Sequence, residues 1–117
     1  MRLRLYLNGD RDARGKFISL FFILMRGEND HDLKWPFSYK IAFHLVDLLS
    51  RQNDINASFW PDQSSNCFEK PSGNMNEGYG VKRFYSISNL EQNRNVYMRD
   101  DVMTLIANVI FNETRPG

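Results

Sequence analysis

The chain has 117 residues, which limits it to a single domain, and its formal net charge at pH 7 is +1. That balance, with no long run of either sign, excludes a dedicated binder of nucleic acid or anionic membrane, because such binding rests on a basic patch that releases counterions. Nine Phe, five Tyr and two Trp exclude a disordered segment.

Leu3, Leu5 and Leu7 alternate with Arg4 and Tyr6, the pattern of a strand with one dry and one wet face. Asn8-Gly9-Asp10 then breaks the alternation as a turn does. From Phe17 to Met25 the chain is apolar on both alternating sets, which reads as a strand covered on both faces and as the second arm of a long hairpin. Gly27 and Pro36 punctuate the next segment, and Trp35 is expected to plug the core there. Tyr39 to Asp47 is a third strand, Leu48 to Asn56 a polar loop, and Ala57 to Trp60 a short fourth strand stopped by Pro61. A long irregular stretch, Asp62 to Gly80, leads to a fifth strand over Val81 to Ser86. Ser88 as N-cap with Glu91 three residues on predicts one helical turn, and Met103 to Phe111 is the last strand, before a fraying tail. The pattern predicts an all-β fold, an antiparallel β-sandwich, with a domain over residues 1–112 and a tail over 113–117.

Chemistry-bearing motifs lose force once their missing parts are counted. Asp10 to Gly15 resembles the start of a calcium loop, but Arg14 and Phe21 stand where oxygen ligands belong, and a solvated hairpin loop is the better reading. His31 and His44 lack cysteine partners at zinc spacing; His44, in a strand, reads as a hydrogen-bonded structural residue and His31 as a surface one. Asp100 and Asp101 are adjacent, so in extended chain they point apart and cannot flank one bond; they read as turn residues. Cys67, the lone cysteine, has no base near it in sequence and can form no internal disulfide, which fits a reducing compartment. The sequons at Asn56 and Asn112 follow nothing resembling a leader, and the run from Phe17 to Met25 is half the length of a membrane helix. No catalytic group, metal or cofactor is expected, and the residues alone lead to a β-sandwich binding module.

Four segments, "LRLYLNGDRDARG", "ISLFFILMRGENDHDLKWPF", "FWPDQSSNCFEKP" and "VYMRDDVMTLIANVIF", taken in their order and spacing, resemble the C-terminal domain of the TNF-receptor-associated factors, the TRAF-C or MATH family. The likeness runs from Met1 to about Phe111 and is nearest to the branch that binds Pro-x-Gln-x-Thr/Ser and Pro-x-Gln-Glu receptor motifs. The resemblance implies an eight-stranded sandwich, here lacking its first two strands. It also implies a cytoplasmic, non-enzymatic adaptor whose partners are receptor tails, with no nucleic acid and no membrane insertion. A family member trimerises through a coiled-coil stalk, which this sequence does not show.

The resemblance further implies a peptide-binding set. Arg4, Tyr6 and Asp10 match the positions that meet an acidic residue of the ligand, and Phe21, Phe43, Phe59 and Phe68 match an apolar pocket for the start of the motif. Ser65, Asn66 and Cys67 stand where the family branch has three serines that hold the motif's glutamine, and Tyr79 stands for a further serine. Trp60 replaces a basic residue before Pro61. Two other readings remain: a MATH-type module that recruits substrates to a ubiquitin ligase, and a carbohydrate-binding sandwich using Trp60 and Tyr79 as exposed stacking aromatics.

Overall fold

Six alternating apolar stretches form six strands, because each can bury one side against the others. The computed structural model describes residues 2–113. Its strands are β1 (Arg2–Tyr6), β2 (Phe17–Ile23), β3 (Lys40–Leu45), β4 (Ile55–Phe59), β5 (Tyr79–Ser86) and β6 (Leu105–Ile110). They make two antiparallel three-stranded sheets, in the orders β1-β2-β5 and β4-β3-β6. The sheets enclose one core: Ile18, Leu20 and Phe22 from β2 meet Ile41, Phe43 and Leu45 from β3, with Phe68 and Phe84 between. This is the expected all-β sandwich. Trp35 packs at its rim, and its indole N–H donates to the Asp30 carbonyl at 2.7 Å.

Several boundaries differ from the sequence reading. β4 begins at Ile55, inside the segment expected to be loop, because Ile55 and Ala57 pair with Leu45 and Phe43 on the core side. Helix α1 covers Ile87–Gln92, and its cap is Ser86, whose hydroxyl accepts the Asn89 N–H at 3.3 Å, and not Ser88. A second short helix, α2 (Arg94–Tyr97), was not expected; it carries Tyr97, whose buried hydroxyl donates to the Asn53 carbonyl at 2.8 Å. Asp100 and Asp101 form the expected turn: both have positive φ, and Arg99 and Val102 exchange hydrogen bonds across them.

The dry face of β1 is only partly dry. Leu3 packs against the core, but Leu5 is 36% and Leu7 60% exposed. Among the described residues β1 is the outermost strand of its sheet and pairs only with β2, so the cover thins along it. At the other end of the chain, Glu113, assigned to the tail, is tied to the sandwich by an ion pair with Lys40 at 2.9 Å. The rest of the expected tail, residues 114–117, lies outside the described residues.

Candidate peptide-binding face

The candidate site lies on the outer face of the β1-β2-β5 sheet. Antiparallel register places Arg4 opposite Phe21 and Tyr6 opposite Ser19, so these four side chains share the outward face. The Tyr6 ring meets Phe21 edge to face, with centroids 5.8 Å apart. This is the geometry that aromatic quadrupoles favour, and it holds the tyrosine over β2.

The turn after β1 brings Asp10 to the same place. Gly9 adopts φ +83°, and a side chain there would strike the Ala13 and Phe17 carbonyls, so only glycine makes this turn. The Asp10 N–H then donates to the buried Ser19 hydroxyl at 2.9 Å. Arg4, Tyr6, Asp10 and Phe21 consequently line one hollow of about 310 Å³, together with Arg11, Glu77 and Gly78. A second hollow, about 560 Å³, continues from Phe21 and Gly78 along β5 to Lys82 and Arg83.

Glycine keeps the middle of this trough open. A Cβ at Gly80 would lie 2.2 Å from the Leu20 carbonyl oxygen, and one at Gly78 would press on the Phe21 side chain at 3.1 Å. Phe21 therefore stands with no side chain beside it on β5. Since β5 is also the outer strand of its sheet, no strand among the described residues pairs with its far edge within that sheet.

Ser65, Asn66 and Cys67 lie at a short helical turn, Asn66–Phe68, and line neither of these two hollows. The Ser65 hydroxyl accepts the Cys67 N–H at 3.1 Å, and the Cys67 thiol lies 3.8 Å from the Gly78 carbonyl oxygen. Asn76 fixes this loop by donating to the carbonyls of Cys67 and Glu69, at 2.9 and 2.7 Å.

The four phenylalanines separate into two roles. Phe21 is half-buried on the outer face and Phe59 half-buried at the sandwich rim, whereas Phe43 and Phe68 are fully buried. The expectation that all four form pocket surface does not hold for Phe43 and Phe68, which β3 alternation and the Asn66–Phe68 turn direct into the core. Tyr79 also differs from an exposed aromatic. It stands opposite Phe22, and its ring packs on Phe59 and Phe68, at 5.4 and 5.1 Å between centroids. Trp60 is half-buried with the Lys40 ammonium 5.9 Å from its ring centroid.

The sequence reading did not single out Arg11, Glu77, Gly78, Gly80, Lys82 or Arg83. Two signals were present. Gly78-Tyr79-Gly80 heads a strand, where glycine marks a close backbone approach. Two adjacent cations in a strand break its alternation, which is how a bulge reads in sequence.

Comparisons with known proteins bear on the family and the fold. The family model described as "TRAF/meprin, MATH domain" matches residues 1–106. TNF receptor-associated factor 5 of Mus musculus is 42% identical over 102 residues, covering 87% of this chain and 18% of that protein. TNF receptor-associated factor 2 of Homo sapiens is 43% identical over 107 residues, covering 92% of this chain and 21% of that protein. Among solved structures, Notothenia coriiceps TRAF5 is similar with a TM-score of 0.89 at 32% identity, over 97% of this chain and 56% of that one. The chain thus spans only about a fifth of the length of these curated relatives.

Proposed function

The chain belongs to the TRAF/meprin MATH-domain family, and from that premise we propose that its β1-β2-β5 face docks short linear motifs in the cytoplasmic tails of TNF-receptor-family proteins. The motifs are of the Pro-x-Gln-x-Thr/Ser or Pro-x-Gln-Glu type, and the module works as a cytoplasmic signalling adaptor and not as an enzyme. The observation that carries this reading is the convergence of Arg4, Tyr6, Asp10 and Phe21 on one hollow beside a glycine-lined strand.

Each group has a part suited to its chemistry. The Arg4 guanidinium and the Tyr6 hydroxyl donate to an acidic side chain of the ligand, and Asp10 accepts from its main chain. Phe21 and Phe59 take the apolar start of the motif, while the far edge of β5 allows strand addition. Ser65 and Asn66 serve the glutamine amide, with Cys67 a poor donor in third place.

The test is a peptide array carrying receptor-tail motifs, Ser/Thr-rich degrons and unrelated acidic peptides, read in parallel with a glycan array. Selective capture of Pro-x-Gln peptides, lost in Arg4→Ala, supports the reading. Capture of degrons without a glutamine requirement supports recruitment of ubiquitin-ligase substrates. The carbohydrate reading is disfavoured because the Tyr79 ring is half-buried and packs against Phe59 and Phe68, which limits the face it offers to a sugar.

A further inference from the structure

Lys82 and Arg83 are adjacent cations that the reading above does not use. In a regular strand, neighbours point to opposite faces. Here Val81 stands opposite Leu20 and Tyr85 opposite Ile18, so Lys82, Arg83 and Phe84 together face the single residue Ser19. Such a bulge bends the strand and re-aims its side chains. Phe84 turns inward, edge-on to Phe43 at 6.4 Å, while Lys82 and Arg83 are both exposed and both line the larger hollow.

The bulge is held in place from beneath and from the side. The buried Ser19 hydroxyl donates to the Lys82 carbonyl at 2.6 Å. The Arg83 guanidinium lies 5.8 Å from the Phe17 ring centroid and 3.7 Å from the Asp12 carboxylate. Lys82 has no ion-pair partner among the described residues.

We propose that the trough has a second cationic end at Lys82 and Arg83, which takes a second acidic side chain of an extended peptide whose first acidic side chain lies at Arg4. The proposal rests on the peptide-docking reading and adds a requirement to it. Two steps across the sheet and two residues along β5 separate Arg4 from Lys82, about 12 Å in all, or three to four residues of extended chain. Asp12 already neutralises part of Arg83, so Lys82 carries most of the selectivity. A carboxylate and a phosphate share the chemistry that this end recognises.

The experiment is titration calorimetry on the whole chain with ten-residue peptides built on Pro-x-Gln-Glu. A second acidic residue, Glu or phosphoserine, is moved through positions on both sides of the fixed Glu. At one position, about three to five residues away, the second Glu is expected to raise affinity about threefold, as exposed pairs do. That gain disappears in Lys82→Gln and in Lys82→Ala/Arg83→Ala and survives in Arg4→Ala. A gain with phosphoserine alone assigns the end to phosphopeptides. The proposal is overturned, with the docking reading intact, if the fixed Glu still depends on Arg4 but no position yields a gain that Lys82→Gln removes. If a folded chain binds none of the peptides, both fail.

Discussion

The Ser19 hydroxyl donates to the Lys82 carbonyl across 2.6 Å while it receives the Asp10 N–H at 2.9 Å. One buried side chain thus ties the turn after β1 to the bulge in β5, passing under the trough from one wall to the other. Both backbone groups lose a partner in Ser19→Ala. Leaving buried polar groups unsatisfied costs about 1–3 kcal/mol, and urea denaturation of the variant is expected to show a loss in that range with an unchanged slope. A loss below about 0.5 kcal/mol would mean that water or a local shift replaces the hydroxyl.

Two glycines offer a paired test of the trough floor. Gly80→Ala forces a methyl group against the Leu20 carbonyl, so β2 and β5 must part. Overpacking of this kind costs about 1–3 kcal/mol. Gly73, with open space around its Cβ position and no positive φ, provides the control. Gly73→Ala is expected to be neutral or to stabilise by up to about 1 kcal/mol through the unfolded chain. Thermal melts of both variants decide it; equal effects would remove the steric argument.

The loop after β3 predicts an acid sensitivity. Asp47 is held at a pKa of about 2, chiefly by the Ser50 hydroxyl against the opposing effect of burial, and with help from the N–H groups of Ser50, Leu49 and Asn53. Because this lies below the ordinary value of 3.8, the unfolded chain takes up the proton first. The stabilisation from Asp47 is complete above the ordinary value and is lost as pH falls from there toward 2. Asp54 is shifted in the same direction, first by the N–H of Asp47. The difference in Tm between the native chain and Asp47→Asn is therefore expected to shrink through that window and to stay constant above it. A difference that does not depend on pH would contradict this account.

How much of this was legible in the sequence depends on what each signal encodes. Alternation at Ile18, Leu20 and Phe22, and at Ile41, Phe43 and Leu45, marks which side chains share a face, and the core is built from those residues. Alternation does not encode what covers a face: Leu5 belongs to the apolar set of β1 but lies on an outer strand, and Leu7 falls in the turn just beyond it. Nor does it encode strand pairing: the adjacent cations Lys82 and Arg83 mark a broken alternation, but which residues bulge is defined only once Ser19 is seen opposite. α2 spans four residues, too few to establish a helical period. At the candidate site, Arg4, Tyr6, Asp10 and Phe21 were reached through resemblance and are gathered by the fold. The resemblance places Phe43 and Phe68 in the pocket although both are buried, because a list of matched positions carries no depth.

The same outer strand makes a prediction about handling. An edge strand with exposed apolar side chains is a template for self-association, and the 117-residue chain on its own is expected to aggregate on warming. Leu7, at 60% exposure, loses little packing when replaced. Leu7→Lys should lower light scattering on heating while leaving Tm within about 2 °C, the shift that a few tenths of a kcal/mol produces at this size. Unchanged scattering would place the sticky surface elsewhere.

The central claim about the site is a pairwise one, so its test is a double-mutant cycle. Arg4 is exposed and has no ion-pair partner among the described residues, which leaves its guanidinium available to a ligand carboxylate. A hydrogen bond to a charged group is worth about 1.5–3 kcal/mol, and Arg4→Ala should cost about that against a Pro-x-Gln-Glu peptide. Against the same peptide with its acidic residue changed to Ala, the cost should nearly vanish, because the two removals share one interaction. Tyr6→Phe, which keeps the ring on Phe21 and removes only the hydroxyl, should show a smaller coupling of the same sign. Asn66→Ser with Cys67→Ser should sharpen the preference for Gln over Glu at the centre of the motif and leave the Arg4 coupling unchanged, since the two act on different ligand residues. Titration calorimetry on the four protein–peptide combinations supplies the numbers. If Arg4→Ala weakens acidic and neutral peptides equally, Arg4 is not the carboxylate contact, and the ligand crosses the sheet by another path.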